Sequence, residues 1–450
     1  MADAAAKPPV AFIGLGAMGF GMATHLVKQG YAVTGFDVWG PTLERFAAAG
    51  GATATTPAAA VADKPVVVCM VATAQQAQDV LLDGDAPAVP ALPRGAVVLL
   101  CSTVPCAYVQ ALHAALEAAG RPDVHLVDAP VSGGATRAAD GTLSIMAGAA
   151  DDAALAAARP LLAELADPAK LYVVAGGVGA GSNMKMVHQV LAACQILSAS
   201  EGMGLAAHLG LDAQRAHDAV VASQGASWMF GHRVPRMLTA FRPVASALAI
   251  IVKDTSIITA EARRAGFPAL LTAAAETVYF AAVGRGFAAD DDSGVLRMYT
   301  EGQGQQAQGG GGGGGGDALS DDEKLALVVD LLRGIHLCAA AESLAFAHRV
   351  GLDLDQVLDL CINAAGGSKM LETHGPGIVQ AFKEGRAVSG WPAQGDDDLV
   401  RLKQQLQAAV QEAQRLKVPT YLGSLSLNLI NLALRSGDGA AGSVVRVWAQ

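Results

Sequence analysis

The stretch from Val10 to Asp37 restricts this chain more than any other. Val10-Ala11-Phe12-Ile13 reads as a short apolar strand, Gly14-Leu15-Gly16-Ala17-Met18-Gly19 follows with no spacer, and a helical run continues to Gly30. A second strand, Tyr31–Phe36, ends at Asp37. A GxGxxG held between strand and helix, with a carboxylate about twenty residues on, is the pattern of a βαβ unit that takes a dinucleotide. Gly14 makes the turn, Gly16 lets a pyrophosphate approach the backbone around Ala17 and Met18, and Gly19 lets the helix pack on the sheet. The helix start offers unpaired N–H donors to phosphates. Asp37 is placed for the adenosine ribose hydroxyls. Its charge repels a 2′-phosphate, and Val38-Trp39-Gly40 brings no arginine. NAD is therefore expected as cofactor over NADP, which remains possible.

Further strands are expected at Pro65–Val71, Ala96–Cys101, Val124–Ala129, Leu143–Ala147 and Leu171–Val174, with helical stretches between several of them. That alternation predicts a doubly wound α/β sheet of Rossmann type with extra strands. Ligands in such sheets bind beyond the carboxyl ends of strands, and two loops fall there. Ser102-Thr103-Val104-Pro105 carries two hydroxyls. Asp128-Ala129-Pro130-Val131-Ser132-Gly133-Gly134 offers the Ser132 hydroxyl and the N–H groups of Gly133 and Gly134 to an anion. Each loop taken alone also reads as an ordinary cap or turn.

The chemistry is placed at Gly177–Gln189. Small residues allow a tight turn and a close backbone approach, Ser182 is expected to cap the following helix, and Lys185, His188 and Gln189 share one face at i, i+3 and i+4. A helix start and partial burial both disfavour an ammonium, which makes a lysine there a better proton acceptor. The plain alternative is a surface lysine on an amphipathic helix. From Ser182 to about Met298 the pattern is helical, and Lys253-Asp254 is expected to open the run Thr255–Ala265, which ends at Gly266 before Pro268.

Gly14–Gly19, Asp128–Gly134, Gly177–Gln189 and Lys253-Asp254, in that order, resemble the β-hydroxyacid dehydrogenase family that includes 3-hydroxyisobutyrate dehydrogenase. The resemblance covers roughly residues 8–300. It implies an NAD(P)-binding Rossmann domain and an all-α domain that closes over a short hydroxy acid. It further implies Lys185 as the catalytic lysine, Ser132, Gly133 and Gly134 as holders of the substrate carboxylate, and Thr103 and Lys253 beside the nicotinamide. Many members carry Asn-Asn where this chain has His188-Gln189. With Trp228-Met229-Phe230-Gly231-His232-Arg233-Val234-Pro235, this looks like the branch containing threonate dehydrogenases. His188 and Gln189 are then expected to bind extra hydroxyls of a four-carbon sugar acid. Tartronate semialdehyde, 3-hydroxyisobutyrate, or a cofactor-binding scaffold without turnover are the alternatives.

Beyond a polar stretch that ends in an unbroken glycine run from Gly309, expected to be a flexible linker, the helical pattern returns. Glu342…Gly351-Leu352-Asp353 repeats Glu201…Gly210-Leu211-Asp212 at an offset of 141, and the same offset pairs Asp218 with Asp359, Gly225 with Gly366, Ser227 with Ser368, Met229 with Met370 and Pro235 with Pro376. This reads as an internal duplication. The offset sets Ala326, Val329 and Asp330 opposite Lys185, His188 and Gln189, and aligning Pro419 with Pro268 sets Gln404 opposite Lys253. The second copy has lost the proton-transfer group. The expected organisation is a cofactor domain over 1–180, a catalytic all-α domain over 181–300, a linker over 301–316 and a degenerate all-α copy over 317–450. The chain is expected to form a homo-oligomer, or a pseudo-dimer in which the second copy supplies the partner surface in cis.

Composition closes other routes. A formal net charge of -10 without a basic tract argues against nucleic acid. No uninterrupted membrane-length apolar run and no secretory leader are read, so a cytoplasmic protein is expected. The six cysteines include no CxxC pair and read as reduced core residues, and no His/Asp/Glu cluster has metal-ligand spacing.

Overall fold

The computed structural model describes residues 7–300, 319–384, 399–435 and 441–448; the expected linker at 301–316 lies outside them. The chain divides into two compact units. One comprises Met1–Lys185 with Gly351–Asp353, the other Met186–Val350 with Leu354–Gln450.

The first unit is a sheet of strands β1 (Val10–Ile13), β2 (Val33–Phe36), β3 (Ala52–Thr53), β4 (Val66–Cys69), β5 (Val97–Leu100), β6 (His125–Asp128), β7 (Val131–Ser132), β8 (Leu143–Ala149) and β9 (Ala166–Val173), in the order β3-β2-β1-β4-β5-β6-β8-β7 with β9 on β8. Strands β1 to β6 pair in parallel, β8 runs antiparallel to β6 and β7, and β9 is parallel to β8. Helices α1 (Ala17–Lys28), α2 (Gly40–Ala48), α3 (Pro57–Val61), α4 (Ala74–Gln78), α5 (Cys106–Ala118), α6 (Gly134–Asp140) and α7 (Asp152–Leu165) connect them. The central strands are apolar throughout because both faces are covered. Val10, Phe12, Val66 and Val68 belong to one core, while Ala11, Ile13, Val67 and Cys69 belong to the other. The period-2 alternation thus sends successive side chains of the same strand to opposite layers. The expected strands are found, with β9 longer than Leu171–Val174. The two-residue strands β3 and β7 carry too little pattern to be read in advance.

Helix α8 (Ala180–His208) begins in the first unit and continues into the second. It is long and apolar enough to cross a membrane, although no uninterrupted apolar run was expected, and 94% of that window is buried inside the protein. The second unit continues with α9 (Ala213–Val221), α10 (Trp228–Met237), α11 (Leu248–Ala265), α12 (Leu270–Gly284), α13 (Arg297–Thr300), α14 (Asp321–Arg349), α15 (Leu354–Asn363), α16 (Lys369–Lys383), α17 (Leu399–Leu416) and α18 (Tyr421–Arg435). Helices α8 and α14 each have 29 residues, α11 and α17 each 18, and α12 and α18 each 15.

Contacts between the two helical segments come in reciprocal pairs. Buried Glu201 of α8 accepts from the amides of Leu422 (2.8 Å) and Gly423 (3.1 Å) at the start of α18, and buried Glu342 of α14 accepts from those of Leu271 (2.7 Å) and Thr272 (3.0 Å) at the start of α12. Each carboxylate satisfies helix-start donors that otherwise lack an intrahelical partner. Ser227 and Ser368 form an antiparallel bridge, flanked by Trp228 N–H to Gly367 O (2.8 Å) and Lys369 N–H to Ala226 O (3.0 Å).

Candidate active site

The glycine turn after β1 is locked to β2. Asp37 accepts from the backbone of Leu15 (2.7 Å) and of Trp39 (2.8 Å), so its carboxylate is fixed against the turn that Gly14-Leu15-Gly16 makes. Gly14 has φ +93, and a side chain there would meet the Met70 carbonyl at 2.4 Å. A Cβ on Gly19 would strike the Gly14 carbonyl at 2.0 Å, whereas one on Gly16 would have nothing within 4 Å. The turn is closed on its sheet side and open at Gly16, as a dinucleotide needs for backbone approach. Ala17 and Met18 are the first two residues of α1. These residues fit the cofactor that the sequence implies.

Of the two hydroxyls after β5, Ser102 is buried and committed to structure: its Oγ accepts from Val71 N–H at 2.9 Å. Thr103 is half-buried. Ser132 ends β7 and is buried, Gly133 is the residue before α6, and Gly134 opens that helix.

The start of α8 is set from the sheet. Asp128, the last residue of β6, accepts from Ser182 N–H at 2.6 Å and from Ser182 Oγ at 2.8 Å. Ser182 is therefore not the expected cap. The helix begins two residues earlier, and Asp128 supplies the acceptor for its first turn. Gly181 is required there, since a Cβ would come within 2.3 Å of the Met146 carbonyl. Burial pushes the Asp128 carboxyl up to about 7, against the two Ser182 donors that favour its charged form. Lys185 follows one turn on and is only 6% exposed, which removes the reading of a surface lysine. Asp128 was legible only as part of a loop motif; its role depends on a partner 54 residues away.

His188 belongs to the second unit. Its side chain is wholly buried, its Nε2 accepts from the Gly366 N–H at 3.1 Å, and its Nδ1 lies 3.1 Å from Gln189 Oε1. Gln189 Nε2 donates to Asp254 Oδ2 at 2.5 Å, and Lys253 Nζ lies 3.1 Å from Asp254 Oδ1. Both ring nitrogens of His188 and both amide atoms of Gln189 have partners within the protein. Lys253 does not open a helix. Helix α11 starts at Leu248, and its first amides donate to the carbonyls of Asp290 (2.8 Å) and Ala288 (2.9 Å) in place of a side-chain cap. No local residue signals such a start. The arginines beside Trp228 also turn inward: Arg233 makes a buried bidentate pair with Asp292 at 2.7 and 2.8 Å.

All six cysteines are buried thiols. Among the described residues no group of three or more His, Cys, Asp or Glu is placed to hold a metal.

Residues 9–177 match the model of the NAD binding domain of 6-phosphogluconate dehydrogenase. The model described as NAD-binding of NADP-dependent 3-hydroxyisobutyrate dehydrogenase matches twice, at residues 179–299 and 323–448. L-threonate dehydrogenase of Cupriavidus necator is 37% identical over 290 residues, which cover 64% of this chain and 95% of that protein. The crystal structure of a 3-hydroxyisobutyrate dehydrogenase from Salmonella typhimurium superposes with a TM-score of 0.60 at 31% identity, over 65% of this chain and 100% of that one. A Plasmodium falciparum 6-phosphogluconate dehydrogenase shares the fold over 94% of this chain and 92% of its own, with a TM-score of 0.68 at 15% identity. With the glycine turn locked by Asp37 and a buried lysine one turn into a helix pinned to the sheet, the chain belongs to the 3-hydroxyisobutyrate dehydrogenase-like family of β-hydroxyacid dehydrogenases, NAD(P)-dependent enzymes acting on CH–OH donors.

Proposed function

We propose that this enzyme oxidises a small hydroxy acid of the threonate class with NAD, and that Lys185 is its general acid and base. The observation that carries the reading is the buried Lys185 side chain, one turn beyond a helix start that Asp128 pins to the carboxyl end of β6. The same β6 carboxyl end leads through Pro130 into Ser132, Gly133 and Gly134. One short segment thus sets both the lysine and the loop that takes the substrate carboxylate.

Gly14, Gly16, Ala17, Met18, Gly19 and Asp37 would hold the dinucleotide, and the family resemblance assigns Thr103 and Lys253 to its nicotinamide side. The bound nicotinamide supplies the two-electron acceptor at the carbinol carbon. Lys185 Nζ takes the hydroxyl proton as the carbonyl forms and returns it in the reverse direction. The Ser132 hydroxyl and the Gly133 and Gly134 amides fix the carboxylate, so one face of the carbinol carbon is presented reproducibly. The Asp37 carboxylate disfavours a 2′-phosphate, which makes NAD the preferred form.

Because His188 and Gln189 are engaged within the protein, the four-carbon preference rests on the likeness to L-threonate dehydrogenase. The same engagement favours a second reading in which the substrate is built on a three-carbon chain, such as 3-hydroxyisobutyrate or, in the reductive direction, tartronate semialdehyde. In either case residues 181–300 carry the chemistry, and 317–450 form a degenerate copy that retains packing. A panel of hydroxy acids with NAD, followed at the NADH absorbance band, tests the proposal. Threonate should give the highest kcat/KM. Preference for an acid built on a three-carbon chain would establish the second reading, and no turnover with any member would remove both.

A further inference from the structure

The reciprocity of the two helical segments breaks at the Gly225 and Gly366 turns, and the break touches the site. The Gly225 turn of the first segment and the Gly366 turn of the second occupy matching positions. A Cβ on Gly225 would meet Val329 O (3.1 Å) and Leu332 Cβ (3.4 Å) of α14, and one on Gly366 would meet Leu191 (3.1 Å) and His188 Cδ2 (3.3 Å) of α8. Each turn therefore seats on the long helix of the other segment, at residues that correspond: Val329 with His188 and Leu332 with Leu191.

The turn amides are satisfied differently. Gly225 N–H donates to the hydroxyl of Ser223 in its own turn, at 3.0 Å. The residue matching Ser223 is Ala364, which has no side-chain acceptor, and Gly366 N–H donates instead to His188 Nε2. Gly366 is also held through its carbonyl, which accepts from buried Gln195 of α8 at 2.7 Å. A buried amide without an acceptor is costly. The serine-to-alanine difference thus makes His188 the required acceptor of that turn.

An imidazole that accepts at Nε2 carries its proton on Nδ1. Nδ1–H then donates to Gln189 Oε1, which turns the Gln189 amide nitrogen to Asp254 Oδ2, while Asp254 Oδ1 faces Lys253. At the matching place in the second segment the chain has collapsed into Asp330–Arg333 (3.0 Å) and Arg333–Gln405 (3.2 Å).

We infer that the Gly366 turn of the second helical segment is a positioning element for the active site: by donating to His188 it fixes that ring's tautomer and, through Gln189 and Asp254, the placement of Lys253. His188 is a positioning residue and not a substrate ligand. The inference rests on the dehydrogenase reading for its kinetic consequence, but the tautomer itself does not depend on turnover.

The full-length protein labelled with 15N-histidine gives the direct test, with the His188 signals assigned by comparison with His188→Asn. The Nδ1–H tautomer is expected for His188 at neutral pH; an Nε2–H tautomer or an imidazolium would overturn the inference. Ala364→Ser restores to this turn the local acceptor already present in the other, so the variant should fold. It is expected to release His188, giving a mixture of tautomers and a several-fold drop in kcat with the acid's KM within twofold. An unchanged tautomer and unchanged kcat would overturn it. His188→Phe should lower kcat by about tenfold or more, and His188→Asn, whose amide can still donate towards Gln189, should recover part of that loss. A rise in KM for the acid with kcat intact would make His188 a substrate contact and end the proposal. Absence of turnover in the unaltered enzyme would count against the substrate reading alone, since the tautomer measurement stands without it.

Discussion

Glu201 and Glu342 each hold the opening turn of a helix in the other's segment: Glu201 accepts from Leu422 and Gly423, Glu342 from Leu271 and Thr272. Both carboxyls are wholly buried. Burial raises Glu201 to about 7 and Glu342 to about 6, against the helix-start amides that favour their charged forms.

Replacing either acid by glutamine should therefore destabilise the helical unit by a similar amount, about 1–3 kcal/mol, because the amide group turns a donor towards a backbone N–H. Chemical denaturation of Glu201→Gln and Glu342→Gln checks the size. The pH dependence has a definite sign. A carboxyl whose folded pKa is raised contributes stability that is complete below its ordinary value and is lost as pH rises through the folded one. The deficit of Glu201→Gln relative to the unaltered enzyme should accordingly shrink between about pH 5 and about pH 8. A deficit that grows over that range would contradict the assignment.

Lys185→Met should lower kcat by at least about 100-fold, the scale of a lost general acid and base. Binding of NADH, measured by its fluorescence, should stay within a few-fold of the unaltered enzyme. Turnover near the native rate would remove Lys185 from the chemistry.

Asp128 separates packing from hydrogen bonding at the start of α8. Asparagine keeps an acceptor for Ser182 N–H, and the Ser182 hydroxyl can reverse its role to accept from the new amide. Asp128→Asn should then melt close to the unaltered enzyme. Asp128→Leu strands two buried donors and should cost about 1–3 kcal/mol together with a loss of kcat. Equal melting temperatures for the two variants would show that the bonds to Ser182 do not set the helix.

Cofactor choice is read at Asp37. The unaltered enzyme should prefer NAD to NADP in kcat/KM, and Asp37→Ser should shift the ratio towards NADP by about tenfold, the effect of removing roughly 1.4 kcal/mol of repulsion. It should also weaken NAD, since the carboxylate holds the Leu15 amide. An unchanged ratio would show that Asp37 does not discriminate.

What the sequence revealed and what it hid follow the range of the interactions. The glycine turn, the parallel strands and Asp37 were legible because each rests on residues that are neighbours along the chain. Identities at an offset of 141 were legible between the two helical segments, although the sequence could not say which groups of the two would meet. Ser182 was misread as a cap because its acceptor, Asp128, lies on a strand 54 residues earlier. The start of α11 was misplaced because its amides are satisfied by the carbonyls of Ala288 and Asp290, which leave no mark on composition. Which groups His188 and Gln189 meet inside the protein was not legible, because face-sharing on a helix does not reveal which neighbour will occupy that face.

The Ser227–Ser368 bridge joins two stretches of one polypeptide that correspond to each other. In a two-fold contact between identical subunits every substitution enters twice, so neither face can change without its mirror image changing too. Here each face is encoded separately. Serine at 223 can coexist with alanine at 364, and histidine at 188 with valine at 329, an arrangement of unlike halves that no homodimer of a single gene product is able to reach.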